Sequence, residues 1–67
     1  MQEVIFIVEE SPEGGFTAKG LGVSIYTEAE NMEELRNAVK EAVLCHYDDE
    51  TKRIIRLHIV RDEVIAA

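Results

Sequence analysis

The sequence predicts an α+β domain: a four-stranded mixed sheet with one helix packed on one face, its elements running β-β-β-α-β. Three observations carry this. Two segments, about Glu3–Glu10 and Arg53–Arg61, are dense in β-branched residues and alternate along their length, as covered strands do. The stretch between Ser11 and Thr27 is punctuated by proline and glycine, the residues that reverse a chain. From Asn31 to His46 apolar side chains recur every three or four positions, the period of a helix.

The first strand places Val4, Phe6 and Val8 on one face and Ile5 and Ile7 on the other, because successive side chains alternate. A strand apolar on both faces is a central one. In Ser11-Pro12-Glu13-Gly14-Gly15 the proline fixes φ and glycine supplies positive φ, so Phe16-Thr17-Ala18-Lys19 returns antiparallel. Gly20 and Gly22 interrupt that strand, and Val23-Ser24-Ile25-Tyr26-Thr27 resumes the alternation as a third, with Val23 and Ile25 on one face. Asn31-Met32-Glu33-Glu34 has the form of a capping box, Asn31 capping the first turn and Glu34 returning a bond to its backbone amide. The helix it opens presents Met32, Leu35, Val39, Ala42 and His46 as one stripe, flanked by Ala38, Val43 and Cys45, with Glu33, Asn37, Lys40 and Glu41 opposite. Leu44 falls on the polar side, either a lone exposed leucine or part of a contact. After the polar break Asp48–Lys52, the last strand sets Ile55, Leu57 and Ile59 against Ile54, Arg56, His58 and Val60. A helical crossover makes the third and last strands parallel. Placing the doubly apolar first strand centrally gives the order 3-2-1-4.

A chain of 67 residues is one domain. Folding at this size removes only roughly 60% of the surface that the unfolded chain exposes, so a partner or a second copy is expected to supplement the core. One helix covers one face of the sheet. The other face keeps Ile5, Ile7, Tyr26, Ile54, His58 and Val60, with the tail Val64-Ile65 nearby, and an apolar patch of that kind marks association. A homodimer or higher oligomer is expected, through that face or an exposed strand edge.

Fourteen acids against seven bases give a net charge of −7, which argues against nucleic acid or an anionic membrane as a direct partner, since both need phosphate neutralised. Met1 to Glu34 holds eight acids and one base, Lys19, whereas Leu35 to Ala67 holds six of each. An acidic half of this kind suits a basic protein partner, with Glu9, Glu10 and Glu13 as the candidate contact; it equally serves solubility.

Candidate chemistry is sparse. The single cysteine, Cys45, has no intramolecular disulfide partner, no stretch approaches ~20 apolar residues, and the start lacks the basic flank of a signal peptide. A cytoplasmic location is expected. Cys45, His46 and His58 have no ligand spacing that closes a tetrahedral site. Cys45 reads as a semi-buried structural thiol, and His46 as a helix-end residue that offsets the dipole or packs in the core. Glu9-Glu10-Glu13 and Asp48-Asp49-Glu50 lack the alternating ligands of a calcium loop and read as solvated turns. Gly20-Leu21-Gly22 is not continued by a third glycine opening a helix, so it is no dinucleotide fingerprint. No catalytic, cofactor-binding or metal residue is assigned, and an enzyme is not expected. A 2-oxo acid dehydrogenase in particular would need thiamine diphosphate and its substrate held by far more chain than this.

The element order, the turn Glu13-Gly14-Gly15-Phe16-Thr17-Ala18, the Leu21-Gly22 step and the cap Glu30-Asn31-Met32-Glu33-Glu34-Leu35 resemble the HicB antitoxin family. In that family a glycine and an aromatic begin the second strand, as Gly15-Phe16 do here, and a Leu-Pro-Gly-Cys segment follows. Here Leu21-Gly22 lacks the proline, Val23 stands where cysteine is usual, and Ala29-Glu30-Asn31 replaces Gly-Asp-Thr before the helix. The resemblance spans nearly the whole chain and implies a truncated ribonuclease H-like fold. It further implies a module that binds and neutralises HicA, a small basic mRNA-cleaving toxin. Many family members add a C-terminal DNA-binding domain, which is not expected here. No four-carboxylate constellation supports ribonuclease chemistry. The alternative is a self-associating structural or regulatory accessory without a toxin.

Overall fold

The computed structural model of the protein describes residues 2–49 and 51–67. Its elements are β1 (Gln2–Glu10), β2 (Phe16–Gly20), β3 (Tyr26–Ala29), α1 (Met32–His46) and β4 (Arg53–Val60). They form one four-stranded sheet in the order β3-β2-β1-β4. β1 lies antiparallel to β2 and parallel to β4, and β2 lies antiparallel to β3. The β-β-β-α-β arrangement and strand order are those that the sequence predicts.

The alternation of β1 decides where the core sits. Val4, Phe6 and Val8 are buried under the helix, joined by Ala18 of β2 and by Leu35, Val39 and Val43 of α1, with Ile55 and Leu57 packed against the cluster. Phe6, Val8, Leu35 and Val39 are the largest side chains fully removed from water. Burying each contributes about 1.5–3 kcal/mol relative to exposure.

The third strand differs from expectation. Pairing starts only at Tyr26 and runs to Ala29, from Lys19↔Tyr26 to Phe16↔Ala29. Val23 and Ile25 lie before it in an irregular segment, where the Gly20 amide donates to the Ile25 carbonyl at 2.8 Å and the Ile25 amide to the Val23 carbonyl at 3.0 Å. The cause is conformational: Gly22 sits at φ +71° and turns the chain, and Gly20, where a Cβ would lie 2.6 Å from Val23 Cγ1, leaves the space into which Val23 folds back, so Val23 does not extend in strand register. Ile25 is nevertheless buried.

The helical stripe is also rotated from the expected one. Leu35, Val39 and Val43 form its buried line, Met32, Ala38 and Ala42 are half-buried, and Cys45 and His46 are exposed. Cys45 is therefore not semi-buried, and His46 stays out of the core. The last turn reaches past the end of the sheet's cover, and Tyr47 takes the packing position instead. The cap is half of the expected box: Asn31 Oδ1 accepts from the Glu34 amide at 2.8 Å, while the return bond from the Glu34 side chain is not among the hydrogen bonds of the described residues.

Gly15 closes the β1–β2 turn with φ +83°, and a Cβ there would approach the Ala29 carbonyl oxygen to 2.7 Å. Gly14 at φ +98° faces open space. Both positions strain any L-residue by roughly 1–2 kcal/mol, but only Gly15 adds a backbone clash. In urea denaturation Gly14→Ala should therefore cost about 1 kcal/mol and Gly15→Ala clearly more. Asn31→Ala should cost about 1 kcal/mol by loss of the cap.

Candidate functional site

Strand direction gathers the acids. β1 and β3 end, and β2 and α1 begin, at the same end of the sheet, so carboxylates far apart in sequence meet there. Glu13 of the β1–β2 turn, Glu28 of β3 and Glu30 line a depression of about 580 Å³ around Phe16. Glu9, Glu10 and Asp62 line an adjoining one of about 320 Å³. The first-turn Glu33 and Glu34 stand close by at the helix N-terminus. Glu9, Glu10 and Glu13, the sequence-predicted contact, are all exposed here. Glu28 and Glu30 were not singled out in the sequence; the register Thr17↔Glu28 brings them beside the turn, and only that pairing reveals it.

The helix-free face collects the other predicted set. The registers Lys19↔Tyr26, Ile7↔Lys19 and Ile7↔His58 put Tyr26, Lys19, Ile7 and His58 in one row across the sheet. Ile5 stands opposite Arg56, Ile54 opposite Glu3, and Val60 opposite Glu9. The six candidate residues therefore share one face, but they are interleaved with charge. Arg56 Nη2 reaches Glu3 Oε2 at 3.2 Å across it, and Ile5 and Ile7 are half-buried.

A third feature, unforeseen in the sequence, ties α1 to β4. Arg53 donates from Nη1 and Nη2 to the two carboxylate oxygens of Asp49 at 2.8 and 3.0 Å, and from Nε to Gln2 Oε1 at 3.2 Å. Its guanidinium carbon lies 3.9 Å from the centre of the Tyr47 ring, within the range of a cation–π contact. The Thr51 amide donates to Asp49 Oδ1 at 3.0 Å. Asp48-Asp49-Glu50 is thus not merely a solvated turn, since Asp49 is a structural ligand of Arg53; Glu50 lies outside the described residues. The four-residue spacing from Asp49 to Arg53 was visible, but a bidentate fork needs the connection to fold back, which the sequence does not state. Beside this clamp Val43, Leu44, Tyr47 and Ile55 line a groove of about 460 Å³, with Lys40 and Lys52 at its rim. Leu44 is part of a groove wall rather than a lone exposed leucine.

Cys45 and His46 sit at the end of α1, and His46 packs edge-on against Tyr47 with ring centres 4.8 Å apart. His58 is on the opposite face of the sheet. Among the described residues no three His, Cys, Asp or Glu side chains gather in a way that could hold a metal ion, and no helix is long and apolar enough to cross a membrane.

Fold and surface together define a small α+β domain with its acids drawn to one end, an open sheet face and an open sheet edge. The chain is 37% identical over 65 residues to a UPF0150 protein of Thermotoga maritima, covering 97% of this chain and 93% of that one. It is 52% identical over 46 residues to a UPF0150 protein of Archaeoglobus fulgidus, covering 69% of this chain and 68% of that one. The chain belongs to the UPF0150 family. No family model and no solved structure matches it.

The Arg53 fork and the Thr51 amide hold the Asp49 carboxyl down at about 2, from an ordinary 3.8. A carboxylate held below its unfolded value adds stability that is fully present above pH 3.8 and fades as pH falls toward 2. Carbon-detected NMR titration should find the Asp49 midpoint near 2 in the wild type, moving back up toward the ordinary value in Arg53→Gln.

Proposed function

We propose that this chain is a non-catalytic protein-binding module of the HicB antitoxin type, which captures a small basic protein at its acidic end. The observation that carries the reading is the convergence of Glu9, Glu10, Glu13, Glu28 and Glu30 on two adjoining depressions. A concentrated negative surface steers a basic partner and fixes its orientation. The Gly15-Phe16 turn that the HicB resemblance rests on is the same turn that forms this surface. Phe16 supplies a half-buried aromatic floor, an apolar anchor of the kind that interfaces use at their centre. A self-associating accessory without such a partner is the second reading, favoured by the open sheet edge at β4.

The test is recovery of the tagged chain from its native cells at moderate salt, followed by native and denaturing mass measurement. A stoichiometric small basic protein is the expected companion, and an RNA-cleavage assay on it then distinguishes a toxin from another basic partner. Recovery of this chain alone overturns the reading. With the companion in hand, charge reversal of Glu9, Glu10 and Glu13 to lysine should slow association about tenfold or more and flatten its salt dependence. Reversal of Glu28 and Glu30 should do the same, because they share the depression with Glu13.

A further inference from the structure

The two edges of the sheet are unlike. β3 is four residues long, carries Glu28 and follows an irregular segment, features that blunt an edge against pairing. β4 is eight residues long, pairs with β1 in unbroken register from Gln2↔Arg53 to Glu9↔Val60, and holds no proline. Long, regular edges of this kind add strands. The helix runs closest to β3 and β2, so cover thins toward β4, and Ile59 on the helix side is 61% exposed.

The molecule also shows more surface than its mass requires. Its accessible area is 5506 Å², against about 4,300 Å² expected for a compact protein of this size. The excess exceeds the ~800 Å² per partner that a stable interface buries. Its radius of gyration is 13.3 Å against about 11 Å expected. Much of the excess lies in the segment after β4, where Val64 is 94% and Ile65 81% exposed.

We propose that a second copy of this chain pairs antiparallel with β4 about a two-fold axis, extending the sheet to eight strands, and that each tail lies in the partner's groove between α1 and β4. The occupant is chosen by the residues. Antiparallel pairing about an axis normal to the sheet sets same-face residues opposite each other, so the axis must fall midway between one residue near the strand's middle and its own copy. Centring on Arg56 opposes two arginines, and centring on His58 sets Ile54 and Ile55 against Asp62 and Arg61. Centring on Leu57 opposes Leu57 to its own copy, Ile55 to the partner's Ile59, Ile54 to the partner's Val60 and Lys52 to the partner's Asp62. The cationic juxtapositions that remain, Arg53 with the partner's Arg61 and Arg56 with the partner's His58, are each offset within one chain, by Asp49 and Glu3 respectively.

Continued in extended form, that register carries Ile65 alongside the partner's Asp49, on the helix side of the sheet. The groove there has apolar walls of Val43, Leu44, Tyr47 and Ile55 and a basic rim of Lys40 and Lys52. Glu63 and Ile65, which alternation puts on that same side, match it in kind, the acid toward the basic rim and the aliphatic toward the walls.

The experiment is light-scattering mass at several concentrations, combined with mild oxidation of Leu57→Cys in a Cys45→Ser background. A dimer that cross-links through Leu57→Cys, and not through Ile7→Cys on the open face in the same background, is the expected result. Ile59→Lys, at an exposed position, should weaken dimerisation about tenfold or more with an unchanged circular dichroism spectrum, and Ile65→Glu should weaken it through the groove. A monomer at every concentration, or a dimer cross-linked through Ile7→Cys instead, overturns the proposal. A dimer indifferent to Ile65→Glu overturns the seating of the tail.

Discussion

One helix of 15 residues cannot cover a four-stranded sheet on both faces, nor over its whole width on one. A helix is about 10 Å across and strands are spaced by about 4.8 Å, so α1 shields roughly two strands well. It shields β2 and β3 and the inner side of β1, and the rest of the structure adjusts to that limit. Phe6 and Val8 are fully buried because they lie beneath Leu35 and Val39. On the next strand Ile55 and Leu57 are only half-buried and Ile59 is exposed, because the helix has turned away.

Where the helix ends, another device takes over. The Arg53 side chain, only 9% exposed, is held between the Asp49 carboxylate and the Tyr47 ring and joins the loop after α1 to the start of β4. Apolar packing gives way to a directional contact at the point where too little apolar surface remains to bury. The same uncovered margin leaves the groove beside Leu44, so the clamp and the groove share one physical origin.

The charge pattern has a different origin, in strand polarity. The acids of the first half are scattered over two strands, a turn and a helix start, and are unremarkable as a sequence. Alternating strand direction returns Glu9, Glu10, Glu13, Glu28 and Glu30 to one end of the sheet, while Lys40, Lys52 and Arg53 gather toward the other. A net excess of charge thereby becomes a polarised surface, which can orient a partner as well as attract one.

Periodicity and turn chemistry are local properties, and whatever depends on them was legible in the sequence: the α+β class, the strand order, the core positions of β1 and the cap at Asn31. Membership of Ile5, Ile7, Tyr26, Ile54, His58 and Val60 in one face was legible for the same reason, since alternation needs no knowledge of neighbours. What required the tertiary structure was anything set by contact between distant residues. The fold-back of Val23 into the space that Gly20 leaves open delayed the third strand to Tyr26, and the reach of the sheet under α1 chose Val43 over His46 for burial. The return of the loop made Asp49 a ligand of Arg53, and pairing of β2 with β3 brought Glu28 to Glu13. A chain's own pattern fixes which side of an element is apolar; only close packing decides how much of that side is covered.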